Sequence, residues 1–243
     1  MPPDRSPIPA WLRGCWRREW IQLADGSRDD TETVYWLQTD SAMADVRTPG
    51  MRPSFAGVDS LEACSVEQLS ALARNNASTG FTTATDVETG TDGSHRCTAQ
   101  WHTYGFGINL QPVCTYPEPG LLTVDRAGTT MIERAPSGAY VEQWVLVPGS
   151  ADGTLRHEVL DDGRHLFVAG PVAVTARDRR APLPRIAPLS QLVADPSFDR
   201  PTVEGLLDCE FSVALRSDDD DGEYRIITST LPWREGALLD VDP

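Results

Sequence analysis

Lysine is absent from this chain. All 21 basic residues among its 243 are arginine, which excludes Schiff-base chemistry, pyridoxal phosphate attachment and a P-loop lysine. A GC-rich genome explains the bias more simply than selection against amines. Cysteine is scarce. Cys15, Cys64, Cys97, Cys114 and Cys209 are odd in number and irregularly spaced, and no C-x-x-C occurs. A disulfide framework and a structural zinc site are therefore not expected. The four histidines, His95, His102, His157 and His165, form no H-x-H or H-E-x-x-H. A metal site would have to be assembled from distant strands, so neither metal nor cofactor is expected. There is no G-x-S-x-G, P-loop or G-x-G-x-x-G, and the two glycines of "YGFGIN" precede no helix. No apolar run approaches the roughly 18 residues of a membrane span. The opening "MPPDRSPIPAWLRG" lacks the apolar core of a signal peptide. These absences together lead us to expect a reduced, cytoplasmic protein, in which a Cys97–Cys114 disulfide is disfavoured.

The charge that is present is mostly negative. A net charge of −15 leaves no basic face to displace counterions from nucleic acid, and it disfavours an anionic membrane surface. A hydrophobic content of 40% is ordinary for a soluble globular protein and sufficient for a large core.

Residues 1–9 are proline-rich and read as an extended arm. Strand-like runs follow at about 13–23, 32–39, 42–48, 79–88, 94–106, 120–126, 129–135, 140–148, 155–160, 164–169, 171–178, 205–216 and 223–231. Tips such as "TDG", "SG" and "DDG" between them supply the positive φ angles of hairpin turns, and "DDDDG" at 218–222 reads as a solvated tip. "SVEQLSALARNN" predicts a helix with Ser65 and Gln68 as a capping box, and a shorter helix is expected at 188–195. Many antiparallel strands with one or two short helices indicate an all-β fold, a sandwich or a closed barrel. A barrel of about eight strands can hold one small ligand.

Three stretches place polar and aromatic residues on one face of a strand. In "YWLQTDSAMADVRTP", Met43, Asp45 and Arg47 share a face that could be enclosed with Trp36 and Gln38, or could be a solvated charge pair. In "YVEQWVLV", Tyr140, Glu142 and Trp144 form a mixed face of the kind that lines pockets, while Val141, Val145 and Val147 read as an apolar layer. Glu133 would lie across the hairpin from the mixed face, and two carboxylates in an apolar cavity could act as acid and base. In "CTAQWHTY", His102 shares a face with Gln100 and Tyr104 and is the leading proton-transfer candidate.

Gly14-Cys15-Trp16 resembles the G-x-W signature of lipocalin-type barrels, in which the Trp packs across the closed end. "WLQTDSAMADVRTP" resembles a W-x-Q-T…D-x-R-x-P strand pair in a functionally uncharacterised group of lipocalin-like cytosolic proteins of bacteria and fungi. The stretch from "GFTTATDVETG" through "HRCTAQWHTYGFGINLQP" to "TMIERAPSGAYVEQWVL" resembles the same group's central region. Matching positions include Phe81, Trp101, His102, Gln111 and Pro112, besides the strand-pair and hairpin residues already named. The likeness spans roughly residues 10 to 148. It departs where an acidic residue is expected before Gln-Pro and Asn109 stands nearest. The resemblance implies a lipocalin-like (calycin-type) antiparallel closed barrel.

The expected organisation is an arm over 1–9 and one elaborated barrel over 10–243, the alternative being two smaller barrels divided near 116. The expected function is binding of a small hydrophobic or carbonyl- or carboxylate-bearing molecule, with no nucleic-acid or membrane partner. The alternative is a cofactor-independent isomerase, cyclase, lyase or hydrolase in the same cavity, in the setting of bacterial secondary metabolism. Candidate catalytic residues are His102, Glu142 and Glu133. Candidate ligand-binding residues are Trp36, Gln38, Asp45, Arg47, Tyr104, Tyr140 and Trp144, with Arg47 as the fork for a ligand oxygen.

Overall fold

Period-two strands joined by tight turns dominate the first 146 residues, and they close on themselves. The computed structural model describes residues 8–114, 117–216 and 222–241. The strands are β1 (Gly14–Leu23), β2 (Arg28–Asp29), β3 (Thr33–Gln38), β4 (Met43–Thr48), β5 (Asn76–Thr89), β6 (His95–His102), β7 (Gly120–Val124), β8 (Thr130–Arg134) and β9 (Tyr140–Leu146). They pair antiparallel in the order β2-β1-β3-β4-β5-β6-β7-β8-β9, and β1 also pairs with β9. Apart from the two-residue β2, this is a closed eight-stranded barrel, and closure leaves no free edge to aggregate. Gly93 and Gly138 sit at hairpin tips with φ of 82° and 77°, a region that a β-carbon disfavours.

A second, open meander follows: β10 (Leu155–Val159), β11 (His165–Ala169), β12 (Val172–Arg177), β13 (Glu210–Arg216), β14 (Tyr224–Ser229) and β15 (Leu238–Leu239). The helices are α1 (Val66–Leu72), α2 (Leu189–Ala194) and α3 (Arg200–Leu207). Ser65 and Gln68 form the expected capping box on α1. The run expected as strand from 205 is helical up to Leu207. Asp199 caps α3 by accepting from the Thr202 amide, Pro201 stands in its first turn, and Val203, Leu206 and Leu207 bury one stripe. The run expected over 94–106 stops at His102 and turns away. Residues 1–7 of the expected arm, the 116 division point and Asp218–Asp221 lie outside the described residues.

The barrel wall is buried on both sides along β3 and β4. Tyr35, Leu37, Ala44 and Val46 point outward into a core shared with Phe167, Val172, Val174, Phe211 and Val213 of the second sheet and with Leu72, Leu189 and Leu206 of the helices. Buried polar ties cross the same junction: the Thr48 and Thr228 hydroxyls are 2.9 Å apart, and the Asn75 amide donates to the Thr230 carbonyl at 3.1 Å. Alternation sends Trp36, Met43, Asp45 and Arg47 the other way, into the barrel. The interior away from these polar groups is filled by Trp16, Cys97, Leu122, Val124 and Met131, together with Ile8 and Leu12 from the segment preceding β1. Trp16 is fully buried and donates its indole N–H to the Leu12 carbonyl. Trp11 stacks on the ring of His95 at 5.3 Å, which fixes that segment against β6.

The valines of β9 do not form the apolar layer expected of them. Val141, Val145 and Val147 are half-buried, whereas Tyr140, Glu142 and Trp144 on the opposite face are buried. The second sheet covers β3 and β4, so β9 keeps a partly exposed outer face and turns its mixed face inward.

Candidate functional site

Not all of the barrel interior is filled. A cavity of about 300 Å³ remains, bounded by strand residues that include Trp36, Arg47, Trp101, Glu133, Glu142 and Trp144. The segment after β6 contributes Tyr104, Phe106 and Asn109, and then Cys114, to its rim.

A buried ion network builds one wall. Arg18 reaches Glu142 at 2.6 Å and Glu32 at 2.5 Å. Arg47 grips Asp45 with two N–H groups, at 2.8 and 3.2 Å, and lies 3.7 Å from Glu142. Glu142 thus stands between two guanidiniums. Burial works against the charge on Arg47, but Asp45 and Glu142 outweigh it and hold its pKa well above the ordinary value. Arg18 reaches the interior by simple alternation from Trp16, as the register partner of Trp144, and β1 changes register only after it, between Arg18 and Trp20. This bulge re-aims the side chains that follow it, so Ile21 also points inward.

Glu133 is the exception in this network. It stands opposite Glu142 in the β8–β9 register and is 96% buried by its 4% residual exposure. The Tyr140 hydroxyl donates to it at 2.9 Å. Among the described residues no guanidinium comes within ion-pair distance of it. Burial, and then the charge of Glu142, push its pKa up to about 8, although Arg47 and the Tyr140 hydrogen bond pull the other way. At neutral pH Glu133 carries its proton. The Tyr140 hydroxyl is itself pushed far up, by burial and then by Glu133.

Three indoles form the opposing surface. Trp36 meets Trp101 and Trp144 edge to face, at centroid separations of 5.9 and 6.4 Å. The indole N–H groups of Trp36 and Trp144 are buried and have no acceptor, a costly condition for a buried donor. Gly120 makes room for Trp101. A β-carbon there would lie 2.6 Å from the Trp101 ring and 3.0 Å from Glu133 Oε1.

Trp36, Asp45, Arg47, Glu133, Tyr140, Glu142 and Trp144, the strand residues singled out from sequence, all border this one cavity. Tyr104 is at its rim, half-buried, with its hydroxyl donating to the Gln111 carbonyl. Two candidates are placed differently. Gln38 is fully buried but does not border the cavity. Its amide nitrogen donates to the Thr39 and Ala42 carbonyls and its oxygen accepts from Thr82, so it ties off the β3–β4 turn. His102 is at the rim, but its ring belongs to the outer face. It is the register partner of Phe81, stacks on that ring at 4.7 Å, and sits 3.0 Å from the Thr83 hydroxyl. Burial lowers its pKa. The inward residue of "QWH" is Trp101.

Sequence reasoning missed Arg18, Glu32 and Gly120. The available signal for Arg18 was alternation in "GCWRREWI", which puts it on the same strand face as Trp16. Asn109, the departure from the resembled pattern, borders the cavity, and its amide donates to the Thr103 and Gly107 carbonyls. Gln111 bridges elements, donating to the Ala73 and Asn75 carbonyls and accepting from the Leu189 amide. All five cysteines are free, and only Cys114 is exposed. Among the described residues no cluster of three metal-ligating side chains occurs, and no helix is long and apolar enough to cross a membrane. No family model, curated protein or solved structure matches the chain.

Proposed function

We propose that the chain is a lipocalin-like binding protein that holds one small organic molecule inside the barrel, with Trp36, Trp101 and Trp144 against the ligand's apolar body. The observation that carries this reading is the unfilled space of about 300 Å³ inside the barrel, walled by the indoles of Trp36, Trp101 and Trp144 and by the Glu133 carboxyl. A concave space with aromatic walls and a few polar groups is the usual form of a small-molecule site. An enzymatic reading draws on Glu133, a protonated carboxyl able to act as a general acid. It needs a companion base. Asp45 and Glu142 are both neutralised by guanidiniums, and the His102 ring lies on the outer face, so binding is favoured over turnover.

The test is native mass spectrometry of the protein purified without denaturation. The expected result is a population heavier than the chain by one small-molecule mass, lost in a Trp36→Ala, Trp144→Ala double variant that remains folded. A mass equal to the chain alone, with no ligand acquired from a cell extract, would refute the reading.

A further inference from the structure

The charge of the ligand can be read from the charges that already face the cavity. Three carboxyl groups, Asp45, Glu133 and Glu142, border it, against a single guanidinium, Arg47. Arg47 is not free to bind an anion, because both ends of its fork are closed on Asp45 and its remaining nitrogen faces Glu142. Arg18, behind the wall, is held by Glu142 and Glu32. An incoming carboxylate or phosphate would thus meet no available cation and a surplus of negative charge. Glu133, by contrast, is a buried carboxyl whose ionised form would need a counter-charge that none of the described residues provides within ion-pair distance.

The indole rings complete the picture. A cation over an indole face is stabilised by the ring quadrupole, more strongly when desolvated. Here three indoles surround the cavity into which Glu133 faces, and Gly120 keeps Trp101 close to that carboxyl. We propose that the ligand is a small organic cation, a protonated amine with an apolar body, whose ammonium group sits between the Glu133 carboxyl and the indoles of Trp36, Trp101 and Trp144. This departs from the carbonyl or carboxylate expected from sequence, and it rests on the reading that the cavity is a binding site.

Binding of an ammonium ion favours the ionised form of Glu133, so a proton leaves the protein as the ligand enters. The titratable and charged groups that face Glu133 are Glu142 and Tyr140 on β9 and Asp45 and Arg47 on β4. Arg18 on β1 acts through Glu142.

The experiment compares three probes of nearly equal size: 2-phenylethylamine, 2-phenylethanol and phenylacetate. Tryptophan fluorescence of the full chain follows the titrations at pH 7. The amine should bind at least about tenfold more tightly than the alcohol, and phenylacetate should bind most weakly. Glu133→Gln, which keeps the shape of the side chain, should remove the preference of amine over alcohol. Calorimetry in buffers of different ionisation enthalpy should show proton release with the amine and none with the alcohol. Equal or tighter binding of the alcohol or of phenylacetate overturns the charge assignment and leaves the binding reading standing. Failure of all three probes to bind, with no ligand copurifying, overturns both.

Discussion

Glu133 and Glu142 face each other across adjacent strands in one enclosed space, yet only Glu142 has cations beside it, with Arg18 at 2.6 Å and Arg47 at 3.7 Å. Two like groups at neighbouring positions are thereby given different surroundings, and burial together with the Glu142 charge raises the pKa of Glu133.

The first prediction is a pH signature in stability. The Glu133 pKa rises from 4.5 to about 8 on folding, so between those values the native state binds the extra proton. Stability then falls as pH climbs from about 4.5 to 8 and levels off above. Glu133→Gln removes this loss. Urea unfolding at pH 5 and pH 8 should show the variant gaining on the parent by roughly 3.5 kcal/mol between the two. A constant difference would show that Glu133 is ionised in the folded protein.

Arg18 is the second target. Replacing it with Met leaves Glu142 and Glu32 without their closest cation in a buried setting, at a cost of about 3 kcal/mol by denaturant titration. Adding Glu142→Gln to Arg18→Met should restore part of that loss, because the stranded charge is then gone. Additive losses would contradict the network.

Gly120 is tested by steric fill. Gly120→Ala places a methyl group where the Trp101 ring and Glu133 Oε1 now are. Trp101 must shift, with an expected cost of about 1–2 kcal/mol. The check is a change in the tryptophan emission spectrum together with weakened binding of the phenylethyl probes. An unchanged spectrum and affinity would mean that Trp101 does not close on this position.

Cysteine accessibility gives a direct reporter. Four cysteines are buried, and Cys114 is exposed at the cavity rim. Burial raises the Cys15 and Cys97 thiols far above their usual value, the latter to about 12. A chromogenic disulfide reagent should therefore titrate one thiol rapidly in the native protein and five in denaturant. Occupancy of the cavity should slow the fast reaction, and Cys114→Ser should abolish it.

Much of the site was legible in advance because strand periodicity is local. Tyr140, Glu142 and Trp144 had to share a face, and so did Asp45 and Arg47. Turn residues placed Glu133 across its hairpin. His102 was misread for a related reason. Alternation set it apart from Trp101, and the functional role was assigned to the wrong member of the pair, since a titratable ring drew more notice than an indole. Arg18 escaped although it is in period with Trp16, because an arginine between Arg17 and Glu19 reads as a solvated charge, and Glu32 because it lies just outside β3, which begins at Thr33. Gln38 was on the expected face, but the nearby turn claimed its hydrogen bonds.

By itself the sequence determined the number and order of the main strands, their turn-linked antiparallel pairing, the capped helix at Ser65, and which side chains lie together on each strand. These follow from backbone sterics and from interactions a few residues apart. Which of two faces lies inside was decided only by tertiary structure. Closure of β1 on β9 created the interior, and docking of the second sheet on β3 and β4 buried their apolar side, so the polar side was left to line the cavity. The ion network came with that choice, because Arg18, Glu142 and Arg47 are far apart along the chain and meet only when the barrel closes.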